Sequence, residues 1–357
     1  MGIMELLKRM IQQNASDLFY RAGGKPHFRI QDKVVAIDDT VLSVDDVVKA
    51  TEELTSLQQR AILEKTSDLD FALYIKELDR RFRVNIFMQR NWPSIVIRNL
   101  ASTIQTFEEL NLPAEILKKL CMEKRGLILL TGTMGSGKST TIASMIEYIN
   151  NNSYRHILTI EEPIEFTFKD KGCIINQREL GLDVSSYAVA LRAFTFQSPD
   201  VMYISNIRDL ETMSAAITAA ETGVLVLSTL HTINASKSVE RIINFFPPHQ
   251  HQEVKSQLAT LLKGVISLRL VPLKDGNSRV PACEVMLLTP TISRLIREGK
   301  VWEIPQYIES GAVFGMQSFN QSLIKLIKEG KISEEEATSF TDNKDEFVLA
   351  LKGIKRS

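Results

Sequence analysis

Residues 132–139 read Gly132-Thr133-Met134-Gly135-Ser136-Gly137-Lys138-Ser139, and this stretch decides the fold because every fixed position of a phosphate-cradling P-loop is filled. An apolar run, Leu127 to Leu130, precedes it and suits a buried strand. A helix is expected to follow, from Ser139 to about Asn150. Gly132, Gly135 and Gly137 let backbone N–H groups turn inward around phosphate oxygens, with Thr133 and Ser136 in the same cradle. Lys138 supplies a point charge, Ser139 offers a hydroxyl to Mg²⁺, and Thr140 opens a helix whose positive end faces the anion. A nucleoside triphosphate with Mg²⁺ is the expected ligand.

Outward from the loop, the texture of the chain changes near residues 100 and 290. Short alternating runs (Asp17 to Arg21, Phe28 to Ile30, Val34 to Ile37, Leu69 to Ile75, Phe82 to Met88) predict strands, with a turn near Asp79. Helices predicted at Glu5 to Gln13 and Val44 to Glu64 complete a small α+β domain over residues 1–100. Residues 101–113 read as a linker. From 114 to 290, strands such as Ile157 to Ile160, Val201 to Ile204 and Val224 to Thr229 alternate with helices, which predicts an α/β domain with a mostly parallel sheet. Residues 291–357 read as a small helical C-terminal region, on the spacing of Ile292, Leu295, Ile296 and of Leu323, Ile324, Leu326, Ile327.

Composition narrows the class. The chain has 357 residues, with Lys plus Arg and Asp plus Glu each totalling 43, so no global basic field argues for nucleic acid. Cys121, Cys173 and Cys283 stand far apart without CxxC spacing, which fits core residues in a reducing compartment and no structural zinc. No run reaches the length of a membrane span and the N-terminus lacks an export signal, so a cytoplasmic protein is expected.

Two further clusters accompany the P-loop. Glu161 and Glu162 stand together at the end of an apolar strand, where a carboxylate could reach Mg²⁺ or an attacking water; a solvated acidic turn stopped by Pro163 has the same pattern. His231 ends another apolar strand in Ser228-Thr229-Leu230-His231-Thr232, as a sensor of the γ-phosphate or as a structural histidine. In Phe82 to Met88, residues 82, 84, 86 and 88 form an apolar face, so Arg83 and Asn85 point the other way.

In company, these motifs resemble those of the type IV pilus retraction ATPases, the PilT/PilU family of the secretion ATPase superfamily. The run comprises the P-loop, Ile160-Glu161-Glu162-Pro163-Ile164-Glu165-Phe166, Asn176-Gln177-Arg178-Glu179, Ser198-Pro199-Asp200-Val201, Ile207-Arg208-Asp209-Leu210-Glu211-Thr212 and Thr229-Leu230-His231-Thr232. The likeness extends to Ala15-Ser16-Asp17-Leu18 and Gly315-Met316-Gln317-Ser318-Phe319. Gln89-Arg90-Asn91 and Arg241 to Pro247 lie nearer the PilU branch. The resemblance implies a PAS-like N-terminal domain, a RecA-like P-loop ATPase domain, a homo-hexameric ring and ATP with Mg²⁺ between the two domains. It implies that Arg83, Arg90 and Arg98 meet the γ-phosphate. It further implies work in pilus retraction and twitching motility at the cytoplasmic face of the inner membrane, held there by the pilus platform protein and joined by a PilT-like ATPase.

Departures from the family pattern carry their own expectation. Where the family has Gly-Glu-Met-Arg-Asp, this chain has Ser205-Asn206-Ile207-Arg208-Asp209, so the expected water-activating glutamate is Asn206. An amide hydrogen-bonds a water but takes no proton from it. The family's first histidine is Val224 here, and its Asp-box aspartate is Glu162. The expected catalytic set is therefore Glu161, Glu162, Asn206, His231, Arg83 and Arg98. Two functions are carried forward: a retraction ATPase, or a hydrolysis-impaired accessory subunit of a competent PilT-like motor.

Overall fold

The computed structural model describes residues 2–30, 33–100, 103–194, 196–276 and 278–352. The chain divides into two compact units: Met1–Thr103 with Pro163–Thr167, and Ile104–Glu162 with Phe168–Ser357. Ala101 and Ser102, the start of the expected linker, lie outside the described residues.

The first unit contains α1 (Ile3–Gln12), β1 (Asp17–Arg21), β2 (His27–Ile30), β3 (Lys33–Ala36), α2 (Val44–Leu54), α3 (Leu57–Thr66), β4 (Asp68–Ile75), β5 (Arg80–Gln89) and β6 (Trp92–Asn99). Its strands form one antiparallel sheet in the order β3-β2-β1-β6-β5-β4. Phe82, Val84, Ile86, Ile95 and Ile97 bury one face of it with Leu6, Leu7 and Met10 of α1. Met88 departs from the expected apolar face and is exposed, because its strand has by then run out toward the hairpin tip. The single helix expected over Val44 to Glu64 is two. Ser43 with Asp46 and Ser56 with Gln59 each form a capping box, and Thr55 between them is extended. Each box satisfies free N–H groups that a continuous helix would not have, so Ser56 starts a new helix.

The second unit contains α4 (Ala114–Cys121), β7 (Gly126–Thr131), α5 (Lys138–Asn152), β8 (His156–Glu161), β9 (Ile174–Glu179), α6 (Tyr187–Phe194), β10 (Val201–Ile204), α7 (Leu210–Glu221) and β11 (Leu225–Leu230). It continues with α8 (Ala235–Phe245), α9 (His251–Leu261), β12 (Leu262–Pro272), β13 (Arg279–Leu287), α10 (Pro290–Glu298), α11 (Ile304–Glu309), α12 (Phe319–Lys328), α13 (Glu334–Ser339) and α14 (Lys344–Leu351). The sheet order is β13-β12-β7-β11-β10-β8-β9, parallel throughout except for β13. Period-two alternation sends the strand residues to opposite faces. Leu127 and Leu129 join Met202, Ile204 and Val226 in a core with α6 to α10. Ile128 and Leu130 join Val201, Tyr203 and Leu227 in a second core with α4 and α5. Both faces are covered, which explains why these strands read as continuous apolar runs. Helix α10 of the C-terminal region packs through Ile292, Leu295 and Ile296 into the first of these cores, whereas α12 to α14 close over Val271, Val280 and Ala282. All three cysteines are buried and unpaired.

Candidate functional site: the phosphate-loop edge of the motor sheet

Parallel strands present their carboxyl ends along one edge, where α/β proteins bind ligands. Here β7 ends at Thr131 before the P-loop, β11 at Leu230 before His231, β10 at Ile204 before Ser205 and Asn206, and β8 at Glu161 before Glu162. The register pairs Leu230 with Thr131, Ser228 with Ile204, and Ile204 with Ile160. The topology thus brings the P-loop, Glu161, Glu162, Asn206 and His231 to one edge of one sheet.

The loop itself is built from unusual backbone. Gly132, Gly135 and Gly137 have φ of 145°, 74° and 94°. At Gly132 a Cβ would stand 2.4 Å from Ser136 Oγ and 2.5 Å from the Leu268 carbonyl, so the residue must be glycine. Lys138 is buried, and its ammonium donates to the carbonyls of Gly132 at 2.8 Å and Thr133 at 2.7 Å. The charge is thereby folded into the loop instead of reaching solvent. Ser136 is 3% exposed and its hydroxyl has no partner among the described residues. An orphan hydroxyl beside a buried ammonium in a glycine turn at a helix start fits a phosphate group. Ser139 and Thr140 are half-buried in the first turn of α5, and Ser139 is the residue that would hold Mg²⁺.

Four of the other residues form a chain of contacts. The Asn206 amide points its oxygen at the Arg208 guanidinium, 2.7 Å from Nε and 3.1 Å from Nη2, the orientation that gives both its ends partners. The same end lies 3.3 Å from His231 Nε2. Arg208 also pairs with Glu162 at 3.3 Å. Burial first, then the charges of Lys138, Arg208 and Arg241, lower the His231 pKa from its ordinary value, which keeps the ring neutral at pH 7. Glu161 is buried and accepts from Thr159 Oγ1 at 2.6 Å and Gln177 Nε2 at 3.0 Å. It is an oriented carboxylate rather than a solvated turn residue. Sequence alone assigns Arg208, Thr159 and Gln177 no individual role, since nothing local signals that they grip Asn206, Glu162 and Glu161.

In the first unit, Arg83 and Arg98 are directly opposed on β5 and β6. Each is matched by a carboxylate: Arg83 Nε donates to Asp70 at 3.0 and 3.1 Å, and Arg98 Nε to the buried Asp17 at 2.8 Å, which also accepts from Arg29. Arg90 is not part of this pair. It forms the β5–β6 hairpin tip with Asn91, both at positive φ, and seven residues of strand put it about 23 Å from Arg83.

The profile of a type II/IV secretion system protein family matches residues 2–339. Type IV pilus ATPase PilU of Pseudomonas aeruginosa is 41% identical over 99% of this chain and 92% of that protein. The chain belongs to the type II/IV secretion system protein family, in its PilT/PilU branch. The retraction ATPase PilT of the same organism is also 41% identical, over 94% of this chain and 97% of its own length. A crystal structure of the pilus retraction motor PilT with bound ADP superposes with a TM-score of 0.90 at 41% identity, covering 97% of this chain and 98% of that one. The α/β architecture expected from the sequence, an N-terminal α+β domain followed by a RecA-like motor domain, is therefore that of the PilT/PilU ATPases. Among the described residues no helix is long and apolar enough to cross a membrane.

Proposed function

We propose that this chain is an ATP-driven motor subunit of the type IV pilus that takes part in retraction and twitching motility. The observation that carries this reading is the single sheet edge on which an orphan Ser136 hydroxyl and the buried Lys138 ammonium stand with Glu161, Glu162 and His231. Gly132, Thr133, Gly135, Ser136, Gly137, Lys138, Ser139 and Thr140 hold the triphosphate of ATP, and Ser139 holds Mg²⁺. The metal supplies charge neutralisation on the phosphate oxygens. Arg83 and Arg98 add guanidinium charge to the transferring phosphoryl group. The active form is a homo-hexamer at the cytoplasmic face of the inner membrane, in contact with the pilus platform protein.

A second reading rests on Asn206. Its oxygen is committed to Arg208 and carries no charge, so water activation falls to Glu161 or Glu162. Losing one general base typically costs about 10² to 10⁴ in rate. Such a chain binds ATP, hydrolyses it slowly, and reinforces a competent PilT-like ATPase. Purified protein assayed with Mg²⁺ and ATP, alone and mixed with that ATPase, separates the two. Turnover alone at the rate of the PilT-like enzyme removes the accessory reading. Slow turnover that Asn206→Glu raises at least tenfold supports it. Absence of nucleotide binding by calorimetry overturns both.

A further inference from the structure

Glu284, in β13, is a carboxylate with 7% exposure that the nucleotide chemistry above does not use. Its Oε1 accepts from the backbone N–H of Ala235 at 2.7 Å and from Ser267 Oγ at 3.4 Å. Ser267 in turn accepts from Thr131 Oγ1 at 2.9 Å. Thr131 and Ser267 are fully buried. Thr131 is the last residue of β7 and is bonded to Gly132; Ala235 is the first residue of α8, four positions after His231. Hydroxyl to hydroxyl to carboxylate to amide, the buried line therefore runs from the root of the P-loop to the far end of the His231 loop. The neighbouring strand β12 holds the same loop a second time, through Arg269 Nη2 to the Ile233 carbonyl at 3.5 Å. Arg269 is itself fixed by both Asp342 carboxylate oxygens at 2.8 Å, by the Phe340 carbonyl at 2.7 Å and by the Phe319 ring at 3.8 Å.

We propose that Glu284 is a positioning residue that ties the P-loop to the His231 loop through Ser267 and Thr131, so that nucleotide seated in the first orders the second. This rests on the P-loop reading given above. The physical reason for a carboxylate is that one oxygen must accept from an amide and a hydroxyl at once, which a charged acceptor does far better than a neutral one. A buried carboxylate kept for packing alone would be costly. Burial raises its pKa to about 7, against the lowering influence of Ala235 N–H and Arg269, with Asp342 adding to the rise. Arg269 and Asp342 are the charged groups that act on it; once ionised, its oxygen accepts more strongly from Ala235 and Ser267, so the tie tightens as pH rises through neutrality even though burying that charge costs net stability.

Hydrogen–deuterium exchange on the full-length protein, with and without a non-hydrolysable ATP analogue, tests the tie. In the wild type the analogue is expected to slow exchange at both 132–139 and 231–238. In Ser267→Ala, which removes only the central hydroxyl, protection at 132–139 should persist while protection at 231–238 falls by half or more. Glu284→Gln keeps the side-chain volume and serves should Ser267→Ala fail to fold. For it, the preference for the analogue over ADP should no longer rise between pH 6 and pH 8 beyond what His231 contributes, whereas the wild-type preference rises at least threefold. Unchanged protection at 231–238 in Ser267→Ala, or the wild-type pH profile in Glu284→Gln, overturns the tie and leaves the P-loop reading intact. Wild-type protection at 132–139 alone also overturns only the tie, and protection at neither segment overturns both.

Discussion

The P-loop edge of the motor sheet and the arginine face of the first sheet both present cations, but they hold them by different physics. In the P-loop the Lys138 ammonium is gripped by carbonyls five and six residues away in sequence, and the grip exists because three glycines occupy positive φ. On the other sheet, Arg98 is held by Asp17, which lies 81 residues away and is brought alongside by the pairing of β1 with β6. A cradle made of local backbone is fixed by residue type. A pair made by strand register depends on the whole sheet assembling, and its energy is that of side chains partly in water.

Substitutions can break this contrast at either end. The largest effect is expected for Gly132→Ala, whose Cβ would meet Ser136 and the Leu268 carbonyl; overpacking and strain together cost about 4 kcal/mol, read as a fall in Tm and loss of nucleotide binding. A variant that stays stable and binds nucleotide would mean that the cradle is not set by its backbone. Next, Lys138→Ala removes the cation from the loop, and about 3 kcal/mol of charge-assisted bonding is a weakening of roughly a hundredfold in ATP affinity by calorimetry. Retained affinity would contradict the assignment of Lys138.

Across the other sheet the effects should be smaller. Asp17→Asn leaves Arg29 and Arg98 facing a neutral buried amide, with an expected loss of about 2 kcal/mol in denaturant unfolding. Because the Arg83 and Asp70 side chains are both partly exposed to solvent, Arg83→Ala is expected to cost less than ~1 kcal/mol of stability. If Arg83 acts on phosphate, the same substitution should nevertheless lower ATP turnover at least tenfold, and equal turnover would assign it to the surface alone.

Acidity gives a further measure, and its sign is fixed. The Glu284 carboxyl has its pKa raised by burial to about 7. Its contribution to stability is therefore complete below the ordinary carboxylate range and lost as pH rises through 7. Glu284→Gln does not ionise, so its Tm relative to the wild type should climb between pH 5 and pH 8, by the equivalent of at most about 3 kcal/mol. A constant difference would show that the carboxyl titrates normally.

Much was legible in the sequence, for reasons visible in particular residues. The apolar run Leu127 to Leu130 is a strand buried on both faces, and its composition says so without alternation. The cap at Ser56 is not legible within a continuous helical pattern, because capping competes with helix continuation over a single turn. Arg90 shares the charge of Arg83 but not its place, since two residues of positive φ make it a hairpin tip.

By itself the sequence determined the P-loop, its strand and helix, the parallel motor sheet and the membership of the PilT/PilU branch, because glycine positions, apolar runs and motif order are local properties of the chain. Only the tertiary structure decided that Asn206 faces Arg208 and His231, that Arg83 and Arg98 stand opposite each other, and that Glu284 lies between Thr131 and Ala235. Those contacts join residues up to 136 positions apart, and strand order and register, which set them, arise from packing of the whole sheet rather than from any one segment.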